Sequence, residues 1–257
     1  MFLQLNCSSQ VLGIQTSVNV LLPEAEKIRK INKPLPTLYL LHGLTDDHTG
    51  WMRYSSIERY IWPYYLAVVM PAVNRSFYTD MAHGARYFTY VSQELPQAME
   101  TIFPLSRERE GRFVAGLSMG GYGAFRLALG LPDRYAAAAN LSGALEMQEV
   151  YHMENKAFVK EMEDAFGTQK EFLAGDNNLW NLAARLAENP DEAPALYMAC
   201  GTTDELLIAN DHFHRDFGES LCIEYHREPG AHTWDFWDTH IQRVLEWLPL
   251  EKMEDLL

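Results

Sequence analysis

The sequence predicts an α/β fold built on a mostly parallel, doubly wound sheet. Three observations carry this. Apolar runs without alternation recur at 37–41, 66–71, 113–117, 136–141 and 195–200, as expected of strands covered on both faces. Helical patterns separate these runs, and strand–helix alternation implies parallel pairing. One junction is Gly116-Leu117-Ser118-Met119-Gly120-Gly121, a G-x-S-x-G turn between a strand and a helix.

Taken in order, Val18, Val20 and Leu22 alternate, so 11–22 reads as a strand. Residues 24–36 are charged and end in Pro34 and Pro36, which suits a surface loop or hairpin turn. The strand 37–41 runs into His42-Gly43-Leu44-Thr45. Ser55 or Ser56 can cap a helix through Ile57, Tyr60 and Ile61 that stops near Pro63. After the strand at 66–71, residues 74–86 are polar and aromatic, a loop. Residues 90–102 read as a helix kinked at Pro96. Residues 119–131 form the helix after the serine. Residues 146–189 break the alternation with charged, amphipathic helical pattern, including Phe158, Met162 and Phe166 at helical spacing. This predicts an insertion across the top of the sheet that closes the far end of a pocket. Residues 208–217 read as a helix, 221–225 as the last strand and 234–248 as the closing helix. The early strands are expected to form an antiparallel edge, and residues 1–257 a single domain.

Composition narrows the function. Lys and Arg number 21 against 35 Asp and Glu, a net charge of −14. So acidic a surface repels phosphate backbones and anionic lipid, which argues against nucleic-acid and membrane roles. Residues 1–6 lack a basic stretch followed by an apolar one, so no signal peptide is expected. No 18-residue apolar run is present to span a membrane. Cys7, Cys200 and Cys222 are few and far apart; Cys200 and Cys222 lie in apolar, strand-like runs and read as buried thiols in a reducing compartment. A cytoplasmic location is expected, and no spacing suggests a metal.

The chemistry centres on Ser118. A glycine is needed two residues to either side, because a side chain there would collide across so tight a turn. A serine hydroxyl needs a base within hydrogen-bond reach and a third group to orient that base. In this fold class the order is Ser, acid, His, each on a loop after a strand. Asp204 follows the strand that ends at Cys200, and His232 lies between the last strand and the last helix. Of the other histidines, His226 continues a strand, His240, His212 and His214 lie in helices, and His42 precedes the serine. Oxyanion donors are expected from the N–H groups of Met119 and Leu44, with His42 packed behind the hole. Trp51, Tyr78 and Trp234 are candidate pocket walls.

The segments Leu40-Leu41-His42-Gly43-Leu44, Trp51, Asn74-Arg75-Ser76-Phe77-Tyr78-Thr79-Asp80, Glu94-Leu95-Pro96, Gly116-Leu117-Ser118-Met119-Gly120-Gly121 and Gly230-Ala231-His232 together resemble the esterase D-type family. That family includes tributyrin esterases, S-formylglutathione hydrolases, feruloyl esterases and mycolyltransferases. The resemblance runs over nearly the whole chain and is weakest across 146–189. It implies an α/β-hydrolase fold, Ser118 as nucleophile, Asp204 as acid, His232 as base, and Leu44 and Met119 as oxyanion donors. Within the family the chain looks most like the small intracellular tributyrin esterases. S-formylglutathione hydrolases typically carry a cysteine shortly after the oxyanion Gly-Leu, where this chain has Thr45-Asp46-Asp47. The Pro-Trp they usually show before the Arg-Tyr segment is also missing ahead of Arg86-Tyr87.

The expected function is therefore a cytoplasmic serine carboxylesterase acting on small, short-chain acyl esters through an acyl-serine, without a cofactor. The alternatives are a thioesterase or S-formylglutathione hydrolase, and a deacetylase of acetylated sugars. Homo-oligomerisation is compatible with the sequence.

Overall fold

Eight strands make one sheet in the computed structural model, which describes residues 1–257. They are β1 (Phe2–Ser9), β2 (Ile14–Leu21), β3 (Thr37–Leu41), β4 (Ala67–Pro71), β5 (Arg112–Leu117), β6 (Ala137–Leu141), β7 (Ala195–Gly201) and β8 (Glu224–Glu228). Their spatial order is β1-β2-β4-β3-β5-β6-β7-β8. From β4 to β8 every neighbouring pair is parallel, whereas β2 meets β4, and β1 meets β2, antiparallel. This is the mostly parallel sheet with an antiparallel N-terminal edge. Strands β3 to β6 are buried along their whole length, which is why they read as unbroken apolar runs.

The sheet divides the core in two. One face packs Val18, Tyr39, Val69 and Val114 against the Met119–Gly130 helix and the helices of 147–187. The other packs Leu38, Leu40, Phe113 and Ala139 against Trp51, Ile57 and the Trp234–Trp247 helix. Ser118 sits at the carboxyl end of the central strand β5, between the two layers.

Four local readings change. β1 precedes the expected first strand; its half-buried alternation is set by pairing with β2. Residues 24–36 hold a helix, Ala25–Ile31, before the two prolines. The last strand starts at Glu224 rather than 221, because Cys222 takes a left-handed φ of 49°. Cys222 is accordingly exposed, not a buried strand thiol, while Cys200 is buried as expected. Around Pro96 the chain stays helical: a π turn at Tyr90–Glu94 runs directly into the helix Leu95–Ile102, with the proline in its first turn. The Ser92 carbonyl, which the missing N–H leaves without a helical donor, accepts from the Arg134 guanidinium instead.

The segment between β6 and β7 is helical, as Lys156–Phe166, Gln169–Ala174 and Leu179–Ala187. Asn155, Thr168 and Asn178 cap these helices through their side chains. Their apolar faces pack on the Met119–Gly130 helix and its neighbours. Phe166 contacts Phe77, Tyr122 and Phe172 at ring separations of 5.1, 5.7 and 5.4 Å.

Candidate active site

The turn after β5 is built from its glycines. A Cβ on Gly116 would run into the backbone of Gly120, and one on Gly120 into the carbonyl of Leu41. Ser118 itself holds φ 53° and ψ −117°, a conformation that costs a non-glycine residue on the order of 1–3 kcal/mol. Its N–H is anchored on Leu141 O at 2.9 Å.

His232 Nε2 lies 3.0 Å from Ser118 Oγ. Its Nδ1 lies 3.0 Å from each carboxylate oxygen of Asp204. A carboxylate only accepts, so the imidazole proton sits on Nδ1 and Nε2 is left to accept from the serine. Two loops are stitched together to achieve this: the Thr203 N–H and hydroxyl both donate to Gly230 O, at 2.9 and 2.8 Å. Gly201 has no room for a Cβ beside Gly230, so β7 and the His232 loop close to backbone contact. The Asp204 side chain is fully buried, whereas that of His232 is 24% exposed. Burial works to raise the Asp204 pKa, but hydrogen bonds from His232, the Leu206 N–H and Ser142 outweigh it and hold the carboxyl below its ordinary range.

Two backbone N–H groups stand beside Ser118: Met119 follows it in the chain, and Gly43, the residue before Leu44, packs against its Cβ. Met119 opens its helix, so its N–H has no partner within it; the Leu44 N–H also donates to no protein acceptor. The peptide that carries the Leu44 N–H is fixed from behind. The Val73 N–H donates to His42 Nε2 at 3.1 Å, so His42 Nδ1 carries a proton and donates to Gly43 O at 2.8 Å. Since Gly43 C=O and Leu44 N–H belong to one peptide plane, His42 sets the direction of that donor. Burial lowers the His42 pKa to about 4 and keeps it neutral.

Above Ser118 lies a cleft of about 580 Å³, lined by Gly43, Leu44, Asp46, Leu117, Glu205, His232, Trp234 and Trp237 among others. Trp234 lines it as expected. Trp51 and Tyr78 do not. Trp51 is 1% exposed, donates to Leu41 O and backs Trp234 edge-on at 5.1 Å. Tyr78 is fully buried under the turn, where Gly123 leaves space for its ring, and its hydroxyl donates to His42 O at 2.9 Å. An aromatic in a sequence does not reveal which of its neighbours reaches solvent. No residue of 146–189 lines the cleft either. That segment reaches the site indirectly: Glu161 holds Arg75, whose guanidinium approaches Leu44 O.

Sequence reasoning missed Ser142 and Trp237. Ser142 (φ 51°) supports Asp204 and accepts from the Trp237 indole at 3.1 Å. Trp237 also meets the His232 ring edge-on at 4.8 Å. The available signal was position, since Ser142 begins the loop after β6 at the carboxyl rim of the sheet.

A family model described as "Putative esterase" matches residues 9–248. The chain belongs to this esterase family. An acetyl esterase of Caldicellulosiruptor saccharolyticus is 31% identical, over 96% of this chain and 97% of that one. Among solved structures, the fluorophosphonate-binding serine hydrolase FphF of Staphylococcus aureus superposes with a TM-score of 0.88. It is 35% identical, with 96% of this chain and 98% of that one covered. The S-formylglutathione hydrolase FrmB of the same organism superposes at 0.85 and 34% identity, with the same coverage. The esterase is therefore a serine hydrolase of the α/β-hydrolase fold. No helix in it is long and apolar enough to cross a membrane.

Proposed function

We propose that the esterase hydrolyses short-chain, uncharged carboxylic esters with Ser118, His232 and Asp204 as its catalytic triad. The observation that carries this reading is the unbroken hydrogen-bond chain Ser118–His232–Asp204 opening into the cleft. His232 takes the Ser118 proton as Oγ attacks the acyl carbonyl. The Leu44 and Met119 N–H groups receive the oxyanion, and Asp204 balances the imidazolium. His232 then gives its proton to the leaving alcohol. A water deprotonated by the same nitrogen attacks the acyl-serine and releases the acid. No step calls for a cofactor.

The lining favours neutral substrates. Asp46 and Glu205 face the cleft, and no Lys or Arg does. The acetyl esterase relative supports a small acyl group. The FrmB likeness supports the rival reading, hydrolysis of S-formylglutathione, but the carboxylates of a glutathione thioester would meet Asp46 and Glu205. Three free cysteines support a reducing, cytoplasmic location, and the chain is read as one domain with the 146–189 insertion.

The test is a panel of p-nitrophenyl esters from acetyl to dodecanoyl, run beside S-formylglutathione and acetylated xylose. Highest kcat/KM is expected from acetyl to about hexanoyl, with apolar contact raising it by up to about 0.8 kcal/mol per methylene until the cleft is filled. Faster turnover of S-formylglutathione than of every oxygen ester would overturn the reading in favour of its rival.

A further inference from the structure

Asn140 and Asn210 are fully buried amides that hydrogen-bond to no side chain of the triad and do not line the cleft. Asn140 lies in β6, two residues before Ser142. Asn210 lies in the first turn of the helix Leu207–Phe217. Asn140 Nδ2 donates to Asn210 Oδ1 at 2.8 Å. The two hydrogens of Asn210 Nδ2 go to Gly143 O and Leu206 O, each at 2.9 Å. Because both of those acceptors are carbonyls, the amide can face only one way.

Satisfying buried groups does not account for the pair. Gly143 O already accepts from the Leu145 N–H, and Leu206 O from the Asn210 N–H, at 2.9 and 3.2 Å. Asn140 Oδ1 has no hydrogen-bond partner. A Cβ on Gly121 or Gly143 would strike that oxygen, so both backbones close over it. A buried acceptor left unpaired costs stability, and two apolar side chains would fill the space without that cost.

What the two carbonyls share is their neighbours. Gly143 C=O and Ala144 N–H belong to one peptide plane, and that N–H donates to Ser118 O at 3.2 Å. The Leu206 N–H donates to Asp204 Oδ1 at 2.8 Å. Ser142, next to Gly143, is the other group besides His232 and Leu206 that supports the Asp204 carboxyl. The Asn210 amide thus clamps the turn that carries the acid to the loop that carries Ser142 and holds the nucleophile's backbone.

We propose that Asn210, held in place by Asn140, is a positioning residue for the triad: it keeps the Asp204 carboxyl aligned on His232. The proposal rests on the triad reading above, and neither amide touches the reacting atoms.

The test is a double-mutant cycle. Asn210→Ala should lower kcat roughly ten- to a hundredfold, as a misplacement of about 1 Å does, with KM within about twofold. The fraction of chains that a fluorophosphonate labels at completion should not change, so the loss is per active site. In an Asp204→Asn background no carboxylate remains to be aligned, and Asn210→Ala should cost less than about twofold there. A merely structural role gives the same factor in both backgrounds. That result overturns the proposal, as does full kcat in Asn210→Ala. An Asp204→Asn chain as active as the unmodified one overturns the triad reading and the proposal together. If Asn210→Ala does not fold, Asn140→Ala decides by the same cycle. It leaves both carbonyls their donor but frees the Asn210 amide to turn, for an expected loss of roughly three- to tenfold.

Discussion

Ser118 occupies the left-handed region that favours glycine, and it does so to present a hydroxyl rather than to hold the fold. Ser118→Ala is expected to lose at least about a thousandfold in kcat, with a melting temperature equal to or above that of the unmodified chain. A variant that keeps most of its activity, or melts well below, would contradict this. His42 acts one bond further back, through the Gly43–Leu44 peptide. His42→Ala should lower kcat roughly ten- to a hundredfold, less than outright loss of an oxyanion donor, with KM little changed. Labelling by a fluorophosphonate should persist more slowly, which separates a displaced donor from a lost nucleophile. Ser118, Asp204 and His232 were legible because the turn and the two strand-end loops have sequence signatures. The Ser142–Trp237 support was not, because its meaning depends on a loop and a helix 95 residues apart meeting in space.

At the scale of elements, buried strands announced themselves with their bounds, whereas the edge strand β1 was missed and the edge strand β8 was placed three residues early. β3 to β6 are apolar throughout because both faces are covered, whereas the exposed-to-half-buried pattern of β8 does not mark where it starts. The 146–189 helices were visible as a break in alternation, but amphipathicity says only that a face is buried, not against what. They bury it on the Met119–Gly130 helix and the Phe77 loop. Phe166→Ala should thus cost about 3–5 kcal/mol of stability while the acyl-length preference stays as it was. Trp234→Ala, in the cleft wall, should do the reverse, extending activity to longer acyl groups at small cost in stability. Glu205→Gln should raise kcat/KM for an anionic ester by roughly three- to tenfold over a neutral one, since removing one nearby like charge is worth about 1 kcal/mol at the surface. Equal effects on both would remove the electrostatic account of selectivity.

For the molecule as a whole, acid is the weak side. His42 and His240 are buried and neutral, each with its pKa lowered to about 4. In the unfolded chain a histidine takes up its proton near about pH 6.5. Between those values the unfolded state binds more protons, so stability falls as pH drops from about 6.5 towards 4, and this contribution then levels off. A fall in Tm on the order of 10 °C between pH 7 and 4.5 is expected, shallower in His240→Gln. A Tm that stays flat across that interval would show that neither histidine is held neutral by the fold.

The unlike ends of the sheet have a consequence for what crowding does to this protein. A strand-adding molecule with two receptive ends is, in a polymer chemist's terms, bifunctional, and couples without limit into filaments. With β8 guarded by Glu224, Arg227 and Glu228 and only β1 uncharged, this chain has at most one such end, and pairing from edge to edge cannot propagate. Light scattering of concentrated solutions should therefore show no filaments, whereas Glu224→Thr with Arg227→Thr would give the chain a second receptive end and let it grow.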